Sequence, residues 1–159
     1  MRTTLADVNG ALKKAGLTPR GAFHPEPEDG VPELATAKPA MTLVLAGNAG
    51  PAMWTAFSAA RDPAADLLDD WSRDVLEPLA HSFGALALFP FQKPHLPFQR
   101  WARRAEACHA SPLGMFIHPD HGLWHGYRGA HHGASHSIGS RCGNIRDRNC
   151  NESNGRAIL

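Results

Sequence analysis

The segment Ser111–Gly129, SPLGMFIHPDHGLWHGYRG, limits the fold of this chain more than any other stretch. It reads as one strand over Gly114–His118, a tight turn, and a second strand over Leu123–Arg128. The turn, Pro119–Gly122, has a proline that presets φ, an aspartate that can bond its own backbone and a glycine that accepts positive φ. The segment therefore predicts a β-hairpin, against which the other elements must pack.

The second strand of this hairpin has a repeat of two, which places its side chains alternately on two faces. The two faces are Leu123, His125 and Tyr127 on one side, and Trp124, Gly126 and Arg128 on the other. A glycine within a strand often marks the close approach of a ligand or another backbone. An arginine on the same face as a tryptophan is suited to hold an anion or the edge of a cofactor. The competing interpretation is a hairpin that belongs to the core and carries polar side chains without a binding role.

Length and charge narrow the class of protein. A chain of 159 residues is long enough for one domain with a sizeable core. Its net charge of +1 gives no electrostatic reason to expect nucleic acid or an anionic membrane as the main partner. The longest apolar-rich stretch, Gly84–Phe91, is far shorter than the about 20 residues of a membrane span.

The N-terminal residues and the cysteines indicate the cellular compartment in which the protein is expected. The first residues lack the apolar core of a secretion signal. The cysteines, Cys108, Cys142 and Cys150, form neither a disulfide framework nor a CxxC pair. We therefore expect a reduced, cytoplasmic protein.

Ahead of the hairpin, the sequence predicts alternating helices and strands. Met41–Ala46 is apolar without alternation, which is typical of a strand covered on both faces. The first predicted elements are a helix capped by Thr3 or Thr4 and ended at Gly16, a strand over Leu17–His24 and a proline-rich loop over Pro25–Pro39. The strand Met41–Ala46 follows, then a helix from Pro51 and a second helix from Asp62-Pro63, which Pro78 kinks or ends. The last are a strand over Ala85–Phe89 and a helix over Phe98–Ala107. This order predicts a layered α+β or α/β domain with a mixed sheet flanked by helices.

Three histidines of the hairpin have spacings of three and four residues. On a helix, His118, His121 and His125 would share one face and could bind zinc. Pro119 and Gly122 argue against a helix here. We therefore predict no metal site in the hairpin.

The sequence changes character after Ala130. Residues 131–159 contain no aromatic residue and show neither helical nor strand periodicity. One interpretation is a metal-binding patch formed by His131, His132 and His136 with Cys142 and Cys150. The other is a shifted reading frame, which would produce an abrupt break of this kind. We favour the shifted frame, and place a cofactor-binding domain at residues 1–130 and an irregular or disordered tail at residues 131–159.

Two stretches resemble a known family. GMFIHPDHGLWHGYRG matches the G-x-x-I-H-P-x-x-G-x-W-x-x-x-R-G pattern of the CblC (MMACHC-type) cobalamin-processing proteins. TLVLAGNAGPAM resembles the strand and PAM helix start of the same family. The resemblance spans Thr42–Gly129. Closer still are bacterial ferredoxin-like proteins in which such a module precedes a cysteine-rich segment, and epoxyqueuosine reductase is similar in joining a cobalamin-binding module to iron–sulfur clusters.

The resemblance implies an α+β fold of the flavin-reductase or nitroreductase type. It also implies that Gly114 permits close approach of the corrin, that Trp124 lines its pocket and that Arg128 takes part in cofactor and thiol handling. Phe116 stands where some relatives carry cysteine, which argues against a thiol role there. The residues that the resemblance assigns to the cofactor site are Gly114, Phe116, His118, Trp124 and Arg128. No catalytic residue is identified.

By the same resemblance, the function is to hold a corrinoid, or else FMN or FAD, as a redox module. A reduced flavin, a thiol or an iron–sulfur partner protein would deliver the electrons, and the cofactor would do the chemistry. Cys142 and Cys150 fit no C-x2-C-x2-C-x3-C pattern, so we expect no iron–sulfur cluster in this chain.

Two alternative functions remain open at this point. One is a ferredoxin-like electron-transfer protein that has lost its cluster segment, and the other is a non-enzymatic, histidine-rich metal-binding protein. Loss of the segment after the hairpin would expose sheet edges or the corrin cavity. We therefore expect a marginally stable protein or a homodimer.

Overall fold

The computed structural model describes residues 3–33, 41–60 and 67–134. In chain order, these ranges contain α1 (Leu5–Lys14), β1 (Thr18–Phe23), a 3-10 turn (Pro27–Asp29), β2 (Met41–Ala49), α2 (Ala52–Ala60), α3 (Leu68–Ser82), β3 (Leu86–Leu88), α4 (Phe98–Ala105), β4 (His109–Ala110), β5 (Phe116–Ile117) and β6 (His125–Ala134). The α+β class is confirmed. None of the helices in these ranges is long and apolar enough to cross a lipid bilayer.

The main sheet has four strands in the order β1-β2-β6-β3, and each of its pairs is antiparallel. The prediction of a mixed sheet was therefore wrong. Strands β2 and β3 do run in the same direction, because both are antiparallel to β6. They are not neighbours, however, because β6 lies between them.

Both faces of β2 are covered, as its apolar run predicts. Leu43 and Leu45 are buried on the side of α4, in a core that includes Trp101. Val44 and Ala46 are buried on the other side, in a core that also draws on α1, α2 and α3. Because successive residues of a strand point to opposite faces, a continuous apolar run is what a central strand needs.

Two predictions about the helices have different outcomes. Thr4 caps α1, and its side chain and that of Asp7 bond each other's backbone N–H. Pro78 does not end α3, because the helix continues past it to Ser82. Both Pro78 and Asp74, whose carbonyl loses its helical partner, are exposed, so water can take the missing hydrogen bond. The predicted helix start at Asp62-Pro63 lies outside the described residues.

The predicted hairpin is correct in its turn and wrong in its pairing. His118 and Gly122 exchange two backbone hydrogen bonds of 2.9 Å, which close the turn. The flanking strands then separate, since β5 pairs with β4 while β6 pairs with β2 and β3. The nine residue pairs between β6 and the buried strand β2 provide far more backbone hydrogen bonding and burial than a short hairpin offers.

Strand β6 continues to Ala134, so the domain boundary predicted at residue 130 falls inside the sheet. His131 and His132 are both buried. They point to opposite faces, with His131 opposite Val44 and His132 opposite Leu43. The two rings therefore cannot share one ion, which removes the adjacent pair from the metal patch that was one interpretation of the tail. Its other members, His136, Cys142 and Cys150, lie outside the described residues.

The buried histidines of β6 make the stability of the protein dependent on pH. Burial is the main cause that lowers the pKa of His131 to about 4, and it also lowers the pKa of His132. In the unfolded chain a histidine titrates near pH 6.5. Between these values the unfolded state binds more protons, so stability falls as the pH falls. For His131 alone we expect a loss of about 2 kcal/mol on going from about pH 7 to about pH 5.

Urea unfolding at the two pH values measures this loss. His131→Leu should reduce the difference, whereas the exposed control His121→Leu should keep it. Equal stability of the wild type at both pH values would contradict the assignment.

Candidate functional site

The segment between α4 and β6 folds over the α4 side of the main sheet. Glu106 ends α4 because its backbone is extended, with φ −133° and ψ 159°. From there the chain forms β4, a turn around Gly114, β5 and the turn Pro119–Gly122. This path places most of the sequence-predicted site residues next to a buried polar cluster.

Arg20 and Glu106 form the centre of that cluster. Arg20 Nε donates to Glu106 Oε1 at 2.7 Å, and a second guanidinium nitrogen donates to Oε2 at 2.8 Å. Only 1% of Arg20 is exposed. Its remaining terminal nitrogen donates to the carbonyl of Asn48 at 3.1 Å. The ion pair therefore links β1, β2 and the end of α4 with charge-assisted, two-pronged geometry.

Two further side chains approach the carboxylate of Glu106. The hydroxyl of Tyr127 donates to Oε2 at 2.7 Å, and Cys108 Sγ lies 3.8 Å from both Oε2 and the Tyr127 oxygen. Burial, and then the bond to Glu106, raise the pKa of Tyr127 far above its usual range. Burial also raises the pKa of the Cys108 thiol. Both groups therefore stay protonated at neutral pH, and the thiol is a weak nucleophile.

His125 connects the cluster to β5. Its Nδ1 lies 3.0 Å from a guanidinium nitrogen of Arg20, and its Nε2 lies 3.1 Å from the carbonyl oxygen of Phe116. Arginine can only donate, so Nδ1 accepts and Nε2 carries the hydrogen that bonds Phe116. These contacts hold His125 as one neutral tautomer.

His118 stabilises the neighbouring turn. Its Nδ1 accepts hydrogen bonds from the backbone N–H groups of Asp120 and His121, at 3.0 and 3.3 Å. Its Nε2 lies 3.9 Å from Glu106 Oε1, and its ring stacks on that of His121 with the centroids 4.6 Å apart. Burial is the main cause that lowers the pKa of His118. The neutral ring is therefore the form that holds the turn.

The three hairpin histidines do not form a set of metal ligands. Both ring nitrogens of His125 and the Nδ1 of His118 already have hydrogen-bond partners. Within residues 3–33, 41–60 and 67–134, no group of three or more His, Cys, Asp or Glu side chains is arranged to hold a metal ion.

The same segment exposes large apolar side chains. We call this the 113–124 surface; its members are Leu113, Met115, Ile117, Leu123 and Trp124. Trp124 is the most exposed, at 86%. Asp120 is the single Lys, Arg, Asp or Glu between residues 107 and 127. Five exposed large apolar side chains within residues 113–124 make this segment a candidate binding surface.

The structure brings together some of the predicted cofactor residues. Phe116 packs into the core on the α4 side, and His118 lies beside Glu106. Gly114 forms a turn with φ +75°, and a Cβ built there would meet no atom within 4 Å. That positive φ favours glycine, and the open space leaves room beside the 113–124 surface. Trp124 lies at the end of this surface, just before β6.

Arg128 lies apart from these residues. It is the extra residue of a β-bulge, since Gly47 pairs with Tyr127 and Ala46 with Gly129. Its guanidinium points toward α3, 3.8 Å from Asp69. Its Nε is buried and has no partner among the described residues. Gly126 and Arg128 do share the face opposite His125 and Tyr127, as the strand repeat predicted, but Trp124 lies outside β6, which begins at His125.

Sequence reasoning missed the residues at the centre of the cluster, Arg20 and Glu106. One signal was available, because an arginine inside a short, partly apolar strand must find a partner if it is buried. The identity of that partner had no signal, because Glu106 is 86 residues away in the chain. Tyr127 and His125 do share a face, as the strand repeat predicted.

No family model, no curated protein and no solved structure matches this chain. The resemblance over Thr42–Gly129 therefore stays a prediction. The function has to be argued from the residues and their geometry.

The buried ion pair generates a prediction about stability. Glu106→Gln leaves the charge of Arg20 buried without a counter-charge, and we expect a loss of about 3 kcal/mol in the free energy of unfolding. The control is Asp70→Asn, which breaks an exposed pair with Arg73 of 3.3 Å and should cost less than about 0.5 kcal/mol. Urea unfolding of both variants measures the difference. Equal losses would show that the buried pair is not a main support of the fold.

Proposed function

We propose that this domain is a redox module of the CblC-like type that binds a corrinoid, or else a flavin, on the 113–124 surface. The observation that carries the proposal is the exposure of five large apolar side chains on a segment that a buried polar cluster holds in place. Large cofactors are bound mainly by apolar side chains and a few well-placed polar groups. The finer fold assignment, a flavin-reductase-like sandwich, belongs to this proposal and draws support from the antiparallel sheet with helices on both faces.

The described residues fit such a cofactor on one side of the domain. Leu113, Met115 and Trp124 offer apolar contact, and the open space at Gly114 allows a flat ring system to approach the backbone. When bound, a corrinoid or flavin supplies the electron-transfer chemistry. The side chains beneath it would then orient the cofactor and exclude water. Arg128 faces α3, so we leave it out of the proposed contact surface.

The protonation states of the buried cluster agree with a binding role. Tyr127 and Cys108 keep their protons, and the Nδ1 atoms of His118 and His125 are already occupied as hydrogen-bond acceptors. None of these groups is poised as a nucleophile or a general base. Electrons would come from a separate reduced flavin, thiol or iron–sulfur protein. We also propose a cytoplasmic setting, in which the free thiol of Cys108 stays reduced.

Titration with hydroxocobalamin, followed by its visible spectrum and by co-elution, tests the proposal. We expect Trp124→Ala to weaken binding by about tenfold or more, because it removes most of the apolar contact at one end of the surface. Trp54→Ala is the matched control, since Trp54 is also exposed, at 57%, but lies on α2. It should bind as the wild type does.

A second matched pair tests the other end of the surface. Leu113→Asp should abolish binding, whereas Leu67→Asp, at another exposed leucine, which lies beside α3, should not. A parallel titration with FMN distinguishes the two cofactor classes. If neither hydroxocobalamin nor FMN shifts its spectrum or co-elutes, the proposed function is wrong.

A further inference from the structure

The side chain of His118 acts as a backbone acceptor within its own turn. Its Nδ1 takes hydrogen bonds from the N–H groups of Asp120 and His121, while Nε2 faces Glu106. An imidazole nitrogen can accept only while it is unprotonated. Formation of the imidazolium would therefore cancel both hydrogen bonds at once and place an N–H against two other N–H groups.

The turn that these two bonds help to hold, beside the backbone bonds between His118 and Gly122, leads directly to Trp124. The backbone N–H of Trp124 donates to the carbonyl of His121 at 2.9 Å. His121 is in turn held through its own N–H by His118 Nδ1. A change at one ring atom is therefore passed through two hydrogen bonds to the most exposed residue of the 113–124 surface.

A second arrangement is available to the charged ring. The carboxylate of Asp120 has an oxygen 3.9 Å from Nδ1, and Glu106 Oε1 is 3.9 Å from Nε2. Both distances are too long for hydrogen bonds in the neutral state. A small rotation of the ring and of Asp120 would convert both into charge-assisted contacts.

We propose that His118 is a pH-sensitive switch, in which a proton at Nδ1 releases the N–H groups of Asp120 and His121 and loosens the turn that positions Trp124. The charged and titratable groups around His118 shift its pKa in opposite directions. Glu106 and Asp120 favour the proton, whereas Arg20 and the stacked ring of His121 oppose it, and His125 lies 5.8 Å away, ring centroid to ring centroid. Burial favours the neutral ring, so the switch operates below the usual titration range of histidine.

The test is an NMR titration of the ligand-free protein from about pH 7.5 to about pH 4.5. We expect the amide signals of Asp120 and His121 to move together with the imidazole signals of His118. Their protection from hydrogen exchange, relative to intrinsic rates, should fall by about tenfold or more, while amides of β2 keep theirs. The reference to β2 separates this local event from global destabilisation by His131 and His132.

Two variants decide whether His118 itself is the switch. In His118→Asn, the amide oxygen takes the place of Nδ1, accepts from the same N–H groups and does not titrate. The transition should disappear in this variant and persist in His121→Asn. The proposal is overturned if the wild-type amides do not respond to pH, or if the response survives in His118→Asn.

The use of this switch to control cofactor affinity rests on the proposed function. The amide titration needs no ligand, so its result is independent of whether hydroxocobalamin binds. If the cofactor does bind, its affinity should fall with the same pH midpoint in the wild type and lose that dependence in His118→Asn.

Discussion

The buried pair of Arg20 and Glu106 is the interaction on which the rest of the site depends. It ties the edge strand β1 to the residue at which α4 ends, and it does so with two hydrogen bonds and an almost fully buried guanidinium. The ion pair fixes the position of Glu106, from which the chain continues through β4 and β5 to β6. An arginine buried in this way must be paired, so the position of the carboxylate is strongly determined.

The groups around this pair share one property, which is that their protonation states are held by neighbours. Tyr127 donates to the carboxylate, and His125 is fixed as a neutral acceptor by the guanidinium. His118 is the exception, because its ring has contacts for the neutral form and carboxylates within reach of the charged form. The cluster therefore combines a hydrogen-bonded support with one titratable position, in the same segment as the 113–124 surface.

Strand β6 shows how far local patterns determine the fold and where they fail. The turn Pro119–Gly122 formed as predicted, because its residues favour that conformation wherever the chain goes next. The strands on either side of the turn do not pair with each other, because β6 pairs with the buried strand β2 instead. The same pairing carried His131 and His132 into the buried sheet, although their composition alone indicated a tail.

The sequence by itself determined the local elements of this protein. The capped first helix, the doubly buried strand at Met41–Ala46, the tight turn and the apolar face of α4 all follow from residue types and their spacing. The tertiary structure alone decided the strand order and the meeting of Arg20 with Glu106. The physical reason is the distance along the chain between the residues that interact. Turns and caps depend on a few neighbouring residues, whereas strand partners and buried charges are chosen among residues far apart in the chain.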